Sequence, residues 1–153
     1  MTVWNQFDNF MPDFDSIIKE ALQPFEKEIV RLIESQQHTG KDGYGVDFNE
    51  GKSFYGARMG AYSIKWGKPR KRRGLQTGAK DFHYTGAYHK SLETVFYKDR
   101  ADIYSTSPIS GELEDLYGKA ILKLAPENIA KLLNSGAREA ILRKFRQKVI
   151  RSA

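Results

Sequence analysis

Three histidines, His38, His83 and His89, are the side chains of this 153-residue sequence best suited to proton transfer or metal binding. His83 and His89 stand six apart with Tyr84 and Tyr88 beside them. That is not the i, i+4 spacing that turns two imidazoles toward one zinc ion from a helix, and no third ligand is signposted. Histidines beside tyrosines read as surface or interface hydrogen-bonding groups. A nuclease needs a histidine, an acid and a cation converging on a phosphate. Asp81, His83, His89 and Lys90 supply the types, but their spacing does not demand that role. Ser91 has no nucleophile-elbow motif around it. With no cysteine in the chain, disulfides, thiolate zinc sites and cysteine nucleophiles are excluded. The expectation is therefore no catalytic residue, no metal ligand and no cofactor.

Binding chemistry is written more plainly. Residues 65–74 read KWGKPRKRRG, and Lys80 follows. Lys65, Lys68, Arg70, Lys71, Arg72 and Arg73 are six cations without an acid among them, and Trp66 is interleaved. Held close together in water such charges repel, so an exposed, mobile loop is expected. It is a solvated loop, a phosphate-binding loop with Trp66 as a stacking platform, or a docking loop for an acidic groove. The partner-binding readings are preferred, because so dense a charge is costly to leave unpaired. The net charge of +6 permits association with nucleic acid or an acidic surface without proving it. Six glycines between positions 38 and 60 suggest turns around short extended pieces at 44–48 and 53–55. No GxxxxGK[ST] accompanies them, so they serve the backbone and not a phosphate.

The elements that must position these groups centre on residues 84–106. A short helical turn follows Thr85-Gly86, and two β-branched and aromatic runs, 93–97 and 101–106, flank Lys98-Asp99-Arg100 as in a β-hairpin. Upstream, Ile18, Leu22, Phe25, Ile29, Leu32 and Ile33 recur at steps of three and four on a helix ending near Gln37, N-capped by Asp13 or Asp15. Pro24 predicts a kink there or two helices meeting. Residues 1–12 form an arm whose Trp4, Phe7 and Phe10 dock on the core or a neighbouring subunit. Downstream, helices are expected at 112–122, weakened by Gly118, from Pro126 to the break at 134–136, and over 137–150. Ile141, Leu142, Phe145, Val149 and Ile150 are assigned to the inside of the last. The fold class is α+β: an N-terminal helix, a small antiparallel sheet built round the hairpin, and C-terminal helices, in one domain over 13–153. No apolar run approaches the roughly 20 residues of a membrane span. No cationic leader opens the chain either, so a soluble, intracellular protein is expected.

At Thr85-Gly86-Ala87-Tyr88-His89-Lys90-Ser91-Leu92, followed by the hairpin, the chain resembles small neck, minor tail or tail-completion proteins of tailed phages. In these a TG-x-(hydrophobic or aromatic)-x-x-S-(hydrophobic) stretch opens a short helix before β-strands. Upstream, Tyr44-Gly45-Val46-Asp47, Tyr62-Ser63 and the basic loop are similar to the G-(I/V)-D, Y-S, K-x-x-G layout of such proteins in phages and prophages of Bacteroidetes-like hosts. Downstream, residues 117–128, YGKAILKLAPEN, resemble their YG-x-x-I-x-x-L-x-x-EN segment. The resemblance runs in order over roughly residues 40–133.

It implies a structural virion protein, made in the host bacterial cytoplasm, that assembles as a homo-oligomeric ring at the head-tail junction or tail end. Its partners would be other neck, portal or tail proteins, without a membrane, cofactor or catalysis. In that setting Lys65, Trp66, Lys68, Arg70, Lys71, Arg72 and Arg73 face genomic DNA or an acidic partner, while Trp4, Phe7, Phe10, Tyr97 and Tyr104 make subunit contacts. The competing readings are a free basic nucleic-acid-binding protein and a phage nuclease.

Overall fold

The computed structural model describes residues 14–48, 62, 64–78, 80–97 and 100–152. The arm with Trp4, Phe7 and Phe10, the cap at Asp13, the extended piece at 53–55 and Ser63 lie outside them. The chain begins with α1 (Phe14–Leu22), a 3-10 turn (Gln23–Phe25) and α2 (Glu26–His38). Pro24 sits in the turn, where its missing N–H and fixed φ end one helix and open the next. Of the two outcomes expected at Pro24, two helices meeting is the one that occurs.

Helix α2 is the element on which the rest packs. Ile29 and Leu32 join Leu132 and Ala137 in one buried cluster, with Phe25, Phe96 and Leu124 against it. Ile33 joins Tyr88 and Leu92 in a second, with Val30, Phe82, Leu113 and Leu122 around it. Its last turn buries two amides, Gln36 and Gln37, at 3% and 0% exposure. Nε2 of Gln36 donates to Lys123 O at 2.9 Å, and its Oε1 accepts from the Ala125 N–H at 2.8 Å and from Nδ2 of Asn128 at 3.1 Å. Nε2 of Gln37 donates to Ile121 O at 2.9 Å. These bonds satisfy backbone groups in the stretch between two short helices, where no ladder is available to do so.

The rest of the α+β fold follows the expected order. After α3 (Ile64–Arg72) and α4 (Ala87–Lys90), strands β1 (Leu92–Phe96) and β2 (Ala101–Ser105) pair antiparallel, with Thr94 opposite Ile103 and Glu93 opposite Tyr104. Leu92, Thr94, Phe96 and Ile103 turn toward α2, and Glu93, Asp102 and Tyr104 turn outward, as a two-residue period requires. Helix α5 (Ser110–Tyr117) stops at Gly118, whose φ of 80° leaves the helix, and a 3-10 turn (Lys119–Leu122) follows. Helix α6 (Pro126–Leu132) starts on its proline. A kink over Leu133–Ala137, where Gly136 at φ 114° leaves helical geometry, leads into α7 (Arg138–Ser152). Among the described residues no helix is long and apolar enough to cross a membrane.

Two expectations fail. The basic segment 65–74 is not a loop: its first eight residues belong to α3, with Pro69 inside the helix. Helical geometry spreads neighbouring cations about 100° apart around the axis, which relieves the repulsion that argued for a loop. On α7, Leu142, Val149 and Ile150 are 36%, 37% and 75% exposed and not inside. The least exposed positions of α7 are instead Ala140 and half-buried Ile141, Lys144, Phe145 and Lys148, of which Lys144 and Lys148 reach Glu20 of α1.

Candidate functional site

Arg70, the middle of the basic run, is buried at 1% exposure. It therefore cannot face DNA or a partner, as the sequence suggested. Its Nη2 donates to both carboxylate oxygens of Asp81, its Nη1 to His83 O at 2.6 Å, and its Nε to Gln76 O at 2.9 Å. The guanidinium lies 3.8 Å from the centroid of the Tyr62 ring. Asp81 also accepts from Gln76 Nε2 at 2.7 Å, Tyr62 Oη at 2.9 Å and the His83 N–H at 3.0 Å. Burial alone would raise the Asp81 pKa. The hydrogen bonds from Gln76, the His83 N–H and Tyr62, with the Arg70 charge, outweigh it and hold the carboxyl below its ordinary value. Burial, against the bond to the Asp81 backbone, pushes the Tyr62 hydroxyl up to about 12. Both therefore keep one protonation state near neutrality.

This hub fixes the backbone on which His83 is carried. Phe82, just before it, has φ 54°, a left-handed conformation that bulky residues rarely adopt. The Asp81 carboxylate on the His83 N–H holds it from one side. The ring of Phe82 is held by Phe48, Tyr117 and Tyr88, at centroid distances of 4.6, 5.0 and 5.8 Å. Strain retained in this way is a pointer to function. Gly86 lies close by, where a Cβ would approach Cε1 of His83 to 3.4 Å.

The consequence is that all three histidines of the chain meet. His38 ends α2, His83 follows the hub, and His89 lies on α4; one ring nitrogen from each falls within 4.8 Å of the others. Ring centroids are 4.6 Å apart for His38 and His89, 5.1 Å for His38 and His83, and 5.5 Å for His83 and His89. His89 is 3% exposed, whereas the His38 side chain, 39% exposed, forms the rim with Glu34 Oε1 at 3.7 Å from its Nε2. Neither ring nitrogen of His89, nor Nδ1 of His83, has a hydrogen-bond partner among the described residues. Burial, then the neighbouring His38 and His83, push the His89 imidazole down to about 4, so it is neutral at neutral pH.

Among the described residues the His89 ring and Nδ1 of His83 do not make the hydrogen bonds that the sequence suggested. Spacing could not have found the third partner, since His38 comes from another element. Among the described residues these three imidazoles form a group that could hold a metal ion, with one nitrogen from each residue and Glu34 beside them.

The remaining cations of the run do lie at the surface. Lys65, Lys68, Lys71, Arg72 and Arg73 are exposed, and Lys65, Lys68 and Arg72 share a helical face. Trp66, 54% exposed, stands edge-on to Tyr84 at 6.1 Å, and the Arg73 guanidinium lies 4.4 Å from the Tyr84 ring centroid. Tyr97 and Tyr104, 45% and 36% exposed, are at the hairpin, away from this cluster in sequence. No family model, curated protein or solved structure matches the chain.

Proposed function

We propose that the chain is a structural protein of a tailed-phage virion, forming an oligomeric ring at the head-tail junction or tail end. The observation that supports this best is the hairpin. Among the described residues β1 and β2 pair only with each other, and no further strand pairs with the outer edge of either. A two-stranded ribbon is marginal alone, and an open edge is a template for another strand. Head-to-tail pairing of such edges closes into a ring when the rotation per subunit divides the circle. Tyr97 and Tyr104 would be buried there. Residues flanking the segments that carry the likeness to neck and tail-completion proteins meet one another and the third segment: Gly43 N–H donates to Ala120 O at 2.8 Å, and Phe48 packs on Phe82 and Tyr117.

In this reading the face of Lys65, Lys68 and Arg72, with exposed Lys71 to one side of it, meets genomic DNA or an acidic neighbour, and no catalysis is assigned. Quantitative mass spectrometry of purified virions, scaled to the portal protein, tests it. A ratio near one ring per particle supports the assignment; absence from virions overturns it. The exposed basic face favours one second reading, a free nucleic-acid-binding protein. Its signature is an affinity that falls steeply with salt, with the slope reduced by about one for each phosphate-contacting cation replaced.

A further inference from the structure

We propose that His38, His83 and His89 form a binding site for a divalent transition-metal ion of the zinc class. Two independent observations carry it. The first is geometric. With Zn–N bonds of 2.0–2.1 Å and tetrahedral angles, three coordinating imidazoles have ring centroids about 5.2 Å apart. The observed centroids are 4.6, 5.1 and 5.5 Å apart. The rings already stand at the spacing of a complex. They differ from one in orientation, being tilted by 25–46° to one another. Rotation about the side-chain torsions would bring the nitrogens, now within 4.8 Å, to the roughly 3.3 Å that such coordination needs.

The second observation is the set of orphaned atoms. A buried neutral imidazole has one N–H and one lone pair to satisfy, and leaving them unmet is costly. His89 has neither satisfied and His83 lacks one. An ion between the rings would take a lone pair from each. The carriers are fixed as such sites require: His83 by Asp81 and Arg70 on its backbone N–H and C=O, His38 as the last residue of α2. Glu34, beside His38, is placed as the outer carboxylate acceptor, and three protein ligands leave a fourth position for water or an incoming donor. A nitrogen donor set selects Zn2+, Co2+ or Ni2+ over Mg2+ and Ca2+.

The test uses tag-free, full-length protein stripped with chelator and titrated with Zn2+ or Co2+ by calorimetry and visible absorption. One ion per chain is expected, with the d–d bands of tetrahedral Co2+. The melting temperature should rise by roughly 5–10 °C at a hundredfold excess over Kd. Mg2+ and Ca2+ should neither bind nor compete. His38→Gln, at the solvent rim, and His83→Gln should each lower Zn2+ affinity more than roughly tenfold while retaining the helical circular dichroism of the parent. Absence of stoichiometric binding in the parent overturns the proposal. So does binding that persists unchanged in both folded variants, which would mean an adventitious surface ion.

Discussion

Nη2 of Arg70 donates to both oxygens of the Asp81 carboxylate, at 2.8 and 3.0 Å, and the two side chains are only 2% and 5% exposed. Removing one member of such a pair strands the other charge in the interior. Arg70→Met is therefore expected to destabilise the fold by about 3–5 kcal/mol, measured by urea denaturation. The double variant Arg70→Met/Asp81→Leu should lose less than the two single losses added together, because no lone charge remains. Additive losses would show that the pair is not coupled. Lys68→Met, on the exposed side of the same helix, should change stability by less than about 0.5 kcal/mol.

Gly43 marks a close backbone approach between the early loop and the C-terminal half. A Cβ placed on it would lie 2.3 Å from Lys123 Cβ and 2.8 Å from the carbonyl oxygens of both Ala120 and Lys123. Two of these obstacles are backbone, which cannot swing aside. Gly43→Ala should cost at least about 1–3 kcal/mol through overpacking. Gly45→Ala is the control: its φ of 77° imposes strain, but nothing lies within 4 Å. It should cost about 1–2 kcal/mol, the left-handed penalty alone. If Gly43→Ala proved the milder of the two in denaturant midpoint, the close approach would not be a constraint.

The local punctuation of this fold could be read from the sequence. Pro24 ends one helix, Gly118 another and Gly136 a third, while Pro126 opens one, each for a reason confined to that residue. The ends of β1 and β2 fall within a residue of those that the two apolar runs predict, because alternation and a short polar break are local signals. What escaped was every buried polar group. A run of cations does not say which member faces inward; that depends on Asp81, brought to Arg70 by the fold. An apolar stripe counts Ile29 and Ile33 but passes over Gln36 and Gln37, whose partners are backbone groups between 121 and 125 and the Asn128 side chain. The meeting of His38 with His83 and His89 has the same character. Exposed Ile150 errs in the other direction: periodicity marked an apolar face without showing how little of it α1 covers.

Where α1 does meet α7, Glu20 receives the Lys144 ammonium at 3.1 Å, with that of Lys148 at 3.6 Å. The hydrogen bond from Lys144, then the charges of Lys148 and Lys144, lower its pKa from the ordinary 4.5. Since the folded value is the lower one, the unfolded chain binds the proton more tightly. The contribution is complete above about pH 4.5 and is lost as pH falls through the folded value. Asp81 is depressed in the same direction, so an acid titration of the parent alone would mix the two. The difference between the parent and Glu20→Gln separates them, because Asp81 is common to both. The melting temperature of the parent should exceed that of Glu20→Gln at pH 7, and the gap should close as pH falls below the ordinary 4.5 and through the folded value. The gap should also narrow in 1 M salt, because the pair lies in solvent and its charges are screened. A gap unchanged from pH 7 to 3 would mean that Glu20 acts through packing and not through its charge.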